Sequence, residues 1–226
     1  MSPHSIFPLP HGSSVTHLTV VRHNLLEHLL ANPQQIVLLG NSPEYNNPDF
    51  IQELTAATTK LNGQHLLTLC CTAQAYLSAD LPHSLSHLIQ HRLQLPEEIR
   101  QVIMIPLAEG LINAFEHGCL HLSQLKEQLL ERENDYAAYT ELVKARTRDG
   151  LYSNNVLSCT LWLDDEQHLL FQIKDNGPGH NHIPRQVYDT PTKRGLLMIE
   201  QSSMWYTINN GGRCLTACIQ LTAEPA

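Results

Sequence analysis

Apolar and polar positions along the chain predict an interleaved series of strands and helices. In the first part, runs with strand-like and helical spacing alternate at 15–21, 24–31, 34–39 and 50–61. Asp49 stands where the last of these helices would have its N-cap, and the pair Asn62–Gly63 ends the pattern. We therefore expect a small N-terminal α/β extension over residues 1–63 and a second unit over residues 64–226.

The second unit has a different order of elements. Strands are predicted at 65–71, 156–164 and 169–175, helices at 84–95, 97–118, 122–150 and 194–204, and a terminal hairpin after them. The helix at 97–118 is apolar nearly all round, which is typical of a central core helix, with Pro106 expected to kink it and Gly118 to end it. This order predicts an α+β protein, a two-layer α/β sandwich in which helices cover one face of a mixed, mainly antiparallel sheet.

Composition narrows the class of protein. The chain has 226 residues, with 14 Lys+Arg against 22 Asp+Glu and a formal net charge of −8. This charge argues against general binding to nucleic acids or anionic membranes. No apolar run has the length of a membrane span, and the first residues do not resemble a signal peptide. The six cysteines form no CxxC pair, so we expect reduced thiols in a cytoplasmic protein.

Three segments carry candidate chemistry, and the first is LAEGLINAFEHG at 107–118. Glu109, Asn113 and His117 are spaced four apart, so a helix places them on one face. Buried acids and amides need partners, which predicts a ligand cavity along this face. Taken alone, the same spacing equally describes a polar stripe at the solvent edge, with His117 as a C-terminal cap.

The other two segments are rich in glycine. In QIKDNGPGH, a strand ends at Asp175, and Gly177 and Gly179 allow the backbone to approach a flat ring or a phosphate closely. In TPTKRGLLMIEQ, Lys193 and Arg194 precede a helix whose N-terminal amides could hold phosphates. Each segment alone also fits an ordinary turn or the start of a helix.

In this order and spacing, the three segments resemble the motifs of the GHKL superfamily of ATP-binding domains, the fold of histidine kinases, gyrase and Hsp90. The resemblance covers about residues 64–221. Within the superfamily the chain is most similar to the anti-sigma-factor serine kinases: LAEGLINAFEHG resembles their N-box, DNGPG the first glycine box and KRGLLMIEQ the second. The ending GGRCLTACIQL is similar to their last strand, and the insert 122–150 resembles the version found in stress-signalling proteins. The resemblance implies a Bergerat-type ATP-binding fold.

The resemblance also implies roles for individual residues around the adenine. Asp175 would hydrogen-bond the adenine amino group, with Thr216 in support. Gly177 and Gly179 would leave room for the nucleotide, and His117 lies on the helix face that the nucleotide would meet.

At the phosphates, the resemblance implies that Asn113 binds the Mg²⁺ ion that accompanies ATP. The amides of Gly195 and Leu196 would hold phosphates, together with the charges of Lys193 and Arg194. Glu109 would be the general base that takes a proton from a serine or threonine hydroxyl of a partner protein.

Two departures leave alternatives open. The family usually has glycine where this chain has Lys193, so nucleotide binding is expected but efficient phosphoryl transfer does not follow. Residues 15–62 lie outside the resemblance, and their role stays open between a remnant of a receiver-like or STAS-like module, an interaction surface, and extra packing or dimerisation. The pairs His117/His121 and His180/His182 have no further ligands at a characteristic spacing, so no metal site is expected there.

Three functions are consistent with these residues. The first is an ATP-dependent protein serine/threonine kinase that acts on a STAS-type anti-anti-sigma factor in a partner-switching pathway. The second is a non-catalytic nucleotide-binding adaptor that sequesters a sigma factor or its antagonist. The third is a domain that has lost nucleotide binding. Homodimerisation is common in the family, so a homodimer is one expected state.

Overall fold

In the computed structural model of the chain, strands and helices follow one another largely in the predicted order. The structure describes residues 7–8, 14–18, 25–31, 35–59, 63–179 and 194–221. The strands are β1 (Phe7–Pro8), β2 (Ser14–Leu18), β3 (Gln35–Leu39), β4 (Gln64–Thr72), β5 (Val156–Leu163), β6 (Leu169–Asp175), β7 (Trp205–Asn209) and β8 (Cys214–Ile219). The α-helices are α1 (Leu25–Ala31), α2 (Pro48–Thr59), α3 (Ala73–Tyr76), α4 (Leu81–Leu93), α5 (Glu97–Asn113), α6 (Ser123–Lys126), α7 (Tyr136–Arg148), α8 (Gly150–Ser153) and α9 (Arg194–Ser202).

The described strands form one mixed sheet in the order β1-β2-β3-β4-β5-β6-β8-β7. β2, β3 and β4 pair in parallel, and the other neighbours are antiparallel. The α+β class and the mixed sheet are therefore as expected. The strand pair β3–β4 crosses the boundary expected at Gly63, with Leu39 opposite Cys71. The N-terminal segment thus extends the same sheet and does not form a sheet of its own.

The helices of the unit that begins at residue 64 pack on one face of the sheet, which agrees with a two-layer arrangement. This first face carries the main core, where alternate strand residues such as Leu39 and Phe171 meet α1, α4, α5 and α9. The intervening residues Ile36 and Leu38 point to the opposite, second face, where they pack with Leu54 of α2, a helix of the N-terminal extension. The extension adds this second covered face because β3 and the centre of β4 are apolar on both sides and both must be covered.

A partly buried arginine joins the N-terminal segment to the rest of the molecule. Arg92 of α4 donates from its guanidinium to the carbonyl of Leu66 in β4 and, at 2.8 Å, to the carbonyl of Leu29 in α1. Burial lowers the pKa of Arg92. The last turn of α1, whose carbonyls have no partner within the helix, is thereby fixed to the main core.

The cap of α2 differs from the prediction. The helix begins at Pro48, so Asp49 lies inside its first turn and is not the N-cap. The side-chain oxygen of Asn47 accepts the Asp49 N–H at 3.0 Å and performs the capping function. Pro48 suits the first helical position, because its fixed φ is already helical and it has no N–H to satisfy.

The central helix changes its pitch near the predicted site. α5 contains Pro106 and ends at Asn113, and a π-helical segment, Ala114–Cys119, continues it. Gly118 was expected to stop the helix but lies inside this wider turn. The predicted helical insert 122–150 is also divided, into α6, a second π segment (Glu127–Arg132), α7 and the first turn of α8. π segments are uncommon and often occur at functional sites.

All six cysteines are buried and none is in a disulfide. Burial is the main cause that raises the pKa of each of their thiols, for example to about 11 for Cys218. Among the described helices, none is both long and apolar enough to cross a bilayer.

Candidate functional site

Glu109 and Asn113 lie one turn apart on α5, beneath the first turn of α9. Both are partly buried. α9 approaches them through Gly195: a methyl group at this position would lie 2.5 Å from Oε2 of Glu109 and 3.6 Å from Nδ2 of Asn113. Any larger residue at this position would have to displace the Glu109 carboxylate. The absence of a side chain therefore lets the N-terminal end of α9 rest on these two groups, where free N–H groups and the helix dipole favour an anion.

The environment of Glu109 makes it a weaker acid than an exposed glutamate. Burial raises its pKa, and the negative charge of Glu116 raises it further. The positive charge of Lys126 lowers it. Lys126 is itself ion-paired with Glu116, and both side chains are largely buried. Because a base acts best when its pKa is near the working pH, a raised pKa suits Glu109 to accept a proton.

Asp175 ends β6 in a second partly buried position. Burial raises its pKa from 3.8 to about 6, while a hydrogen bond from Gly177 and the charge of Arg213 act in the opposite direction. The Gly177 N–H donates to Oδ1 at 3.0 Å. A carboxylate with this burial is suited to accept a hydrogen bond from a ligand amino group, because few groups of the protein satisfy it.

Three glycines allow the segments around Asp175 to approach one another. A methyl group on Gly118 would lie 2.6 Å from Cβ of Asp175, and one on Gly177 would overlap the backbone of Gly118. Gly179 has φ +76°, and a methyl group there would overlap the Gly211 carbonyl. The first glycine box thus packs against the π segment on one side and the β7–β8 turn on the other. Only glycine permits such close backbone approach.

These elements enclose a cleft with a cavity of about 30 Å³. Its polar or charged lining side chains are Asn113, Asp175 and Arg213, with Leu196 of α9 opposite. The remaining lining residues are apolar or small: Gly110, Ala114, Ile173, Ile208, Gly212 and Leu215. The volume corresponds to about one water molecule. The structure therefore brings the segment 107–118, the end of β6 and the start of α9 together around this space.

Some predicted residues lie elsewhere. His117 is in the π segment, where its Nδ1 is 3.0 Å from the hydroxyl of Ser123. Lys193 is outside the described residues, and of Arg194 the structure describes only the backbone, which begins α9. Leu196 lies in the cleft wall.

Thr216 does not lie next to Asp175. It is opposite Gln172, and its hydroxyl accepts from Nε2 of that residue at 3.2 Å. Asp175 shares its face with Ile173 and Leu215, one position out of phase with Thr216 along the paired strands. Thr216 therefore lies on the second face, so the expected support of Asp175 by Thr216 is wrong for this structure.

Sequence reasoning missed three residues that line the cleft or lie beside it. Gly118 was interpreted only as a helix stop, although its backbone is the surface against which Asp175 packs. Arg213 and Lys126 were not singled out. The charge of Arg213 lowers the pKa of Asp175, and the charge of Lys126 lowers the pKa of Glu109. The Gly211–Gly212 pair directly before Arg213 was the available signal, since two glycines before a strand indicate close packing as well as a turn.

One group of three metal-ligating residues occurs within the described part of the chain. Ligand atoms of Asp164, His168 and Cys218 all lie within 4.8 Å of one another. The backbone explains much of this arrangement, because Oδ1 of Asp164 accepts the N–H groups of Glu166 and His168, at 2.9 and 2.8 Å. The pair His117/His121 is not part of this group, and His180/His182 lie outside the described residues.

No protein-family model matches the chain, and no curated protein matches it significantly.

Proposed function

We propose that the chain is an ATP-binding protein serine/threonine kinase of the anti-sigma-regulator type, built on a Bergerat-type fold. Its substrate would be a hydroxyl of a STAS-type anti-anti-sigma factor, in the cytoplasm. The observation that carries the proposal is the close packing of Gly195 on Glu109 and Asn113. An anion-binding helix terminus, a base and an amide oxygen would then meet in one place, as phosphoryl transfer requires.

The groups present fit the nucleotide and its ion chemically. The side-chain oxygen of Asn113 is a ligand type that Mg²⁺ accepts, and Mg²⁺ when bound would neutralise phosphate charge. The carboxylate of Asp175 faces the cleft beside Ile173 and Leu215, so an adenine ring would have an apolar wall and one hydrogen-bond acceptor for its amino group.

The reacting step would depend on Glu109. Its carboxylate would take the proton of the partner's serine or threonine hydroxyl as that oxygen bonds to the γ-phosphorus and the bond to ADP breaks. Lys126, ion-paired with Glu116, would support this step, because its charge lowers the pKa of Glu109 and so favours the ionised carboxylate. The amides of Gly195 and Leu196 would hold the phosphates while this happens.

The described part of the cleft adds a requirement to the proposal. Its space of about 30 Å³ is smaller than an adenine ring, so the groups that line it would have to separate when a nucleotide binds.

The experiment combines calorimetry with phosphoryl transfer. MgATP is titrated into the full chain, and labelled ATP is then incubated with the chain and a STAS-domain protein. Glu109→Gln should retain nucleotide binding and lose transfer by about 100-fold or more. Glu98→Gln, an exposed glutamate in the first turn of the same helix, is the matched control and should keep both. Transfer that survives Glu109→Gln would refute the assigned base.

The second candidate is the nucleotide-binding adaptor, and Lys193 favours it, because the family that the chain resembles usually has glycine at this position. An adaptor needs to bind a nucleotide but does not need a base. Saturable MgATP binding without transfer to any STAS partner, together with unchanged binding in Glu109→Gln, would select the adaptor. A flat titration with both MgATP and MgADP would reject both candidates.

A further inference from the structure

A second cavity lies on the other side of the sheet from the cleft, under α2. Its volume is about 190 Å³. The sheet contributes Ser158, Gln172 and Lys174, and the α2 side contributes Phe50 and Glu53. The full lining consists of Glu44, Phe50, Glu53, Leu54, Val156, Ser158, Thr160, Gln172, Lys174, Asp175 and Asn176. The space is larger than an engineered cavity of about 150 Å³ that binds benzene, so it admits a molecule of about six to nine non-hydrogen atoms.

Polar residues of β5 and β6 line this cavity between two apolar clusters of the same face. On one side of the cavity Val156 lies in the apolar cluster that contains Leu54 of α2. On the other side Trp162 and Leu170 belong to a separate small cluster. Between these clusters the same face carries Ser158 and Gln172. Polar side chains between two apolar clusters and under a helix lose water contacts without gaining packing, unless a ligand replaces the water.

The hydrogen-bonding capacity of these residues is only partly used. The Ser158 hydroxyl makes no hydrogen bond to another described residue. One Nε2 proton of Gln172 goes to Thr216, which leaves its second proton and its oxygen. The cavity therefore offers donors and acceptors that a bound molecule could satisfy.

Opposite charges stand on opposite walls. Lys174 on β6 and Glu53 on α2 are 3.5 Å apart, which is a long ion pair, and their side chains are 33% and 69% exposed. A partly exposed pair of this kind contributes little stability, so its separation costs little. Beside it, Phe50, Leu54 and Val156 supply an apolar surface.

We propose that this cavity binds a free α-amino acid. The carboxylate would lie against Lys174 and the Ser158 hydroxyl, the ammonium group against Glu53, and an aliphatic side chain against Phe50 and Leu54. A zwitterion placed between the two walls replaces one long ion pair by two shorter ones, which a plain carboxylate or a plain amine cannot do. The proposal is independent of nucleotide binding, because it uses neither Glu109 nor the glycine boxes.

The test uses the full chain and the twenty common amino acids as probes, each at about 10 mM. At this concentration a site with a Kd of about 1 mM is about nine-tenths filled. A rise in melting temperature, followed by a saturable calorimetric titration, is expected for one or more aliphatic amino acids. Propionate and propylamine, which each carry one of the two charged groups, should give no saturable signal.

Two variants test the assigned contacts. Lys174→Gln and Glu53→Gln should each weaken amino-acid binding by about tenfold or more. Lys144→Gln, which breaks a comparable exposed ion pair with Glu141, should leave it unchanged. Because Lys174 and Glu53 are partly exposed, both variants are expected to fold. The proposal is overturned if no amino acid binds to the unmodified chain, or if the two variants bind as the unmodified chain does.

Discussion

Replacement of Asp175 by asparagine should stabilise the protein at neutral pH while it removes nucleotide binding. In the folded chain the pKa of Asp175 is raised from 3.8 to about 6, mainly by burial. The folded state therefore holds this proton more tightly than the unfolded state. The contribution of Asp175 to the free energy of unfolding is fully present below about pH 4. It is lost as the pH rises through about 6, because the fold disfavours the charged form.

The size of the effect follows from the shift. About two pKa units correspond to about 3 kcal/mol, and partial exposure of the carboxylate reduces this to about 1–2 kcal/mol. Asparagine keeps an oxygen that can accept the Gly177 N–H, so the local turn is retained. At pH 7.5, the free energy of unfolding of Asp175→Asn should thus be about 1–2 kcal/mol higher than that of the unmodified chain. The two values should converge near pH 4.

Urea unfolding at several pH values between 4 and 8 measures this difference directly, with m-values compared to confirm the same unfolding transition. Asp165→Asn, in the exposed turn between β5 and β6, is the matched control and should follow the unmodified chain. MgATP titration of the same samples should show loss of binding only for Asp175→Asn. Parallel pH curves for Asp175→Asn and the unmodified chain would refute the reasoning about burial.

Three further substitutions test the close packing around the cleft. Gly195→Ala places a methyl group 2.5 Å from the movable end of Glu109. The free energy of unfolding in urea should therefore change by less than about 1 kcal/mol, while phosphoryl transfer is lost. Gly177→Ala collides with the backbone of Gly118, which cannot yield so easily, and should lower the free energy of unfolding by about 2–3 kcal/mol. Gly150→Ala has open space around it and should change neither transfer nor unfolding; a large effect there would contradict the packing argument.

The order of elements was accessible from the sequence because hydrophobic periodicity is local. The terminal hairpin illustrates this: the Gly211–Gly212 pair between two strand-like runs predicted it, and β7 and β8 pair antiparallel around that turn. That Asn113 and Leu196 line the same cleft could not be derived from periodicity, because periodicity has no information about which distant segments come together. Sequence could therefore indicate candidate residues but not the space between them.

The face of each strand residue was harder to predict. In β8 both alternating sets are apolar enough to be buried, Leu215 and Ala217 on one side and Cys214 and Cys218 on the other. With no polar side to mark solvent, the alternation does not reveal which set lies under the helices. A change of one residue reverses the face, so the role that the resemblance implied for Thr216 could not be checked against the alternation.

The N-terminal segment acquires a structural role from the two faces of β6. Along this strand Ile173 and Asp175 point to the cleft, whereas Gln172 and Lys174 point to the second face. That second face has a cavity only because α2 stands over it. α2 is held there because β3 pairs with β4 and continues the sheet. The N-terminal segment therefore covers the second face of the sheet with α2 and completes a cavity there, beside the strand end that carries Asp175.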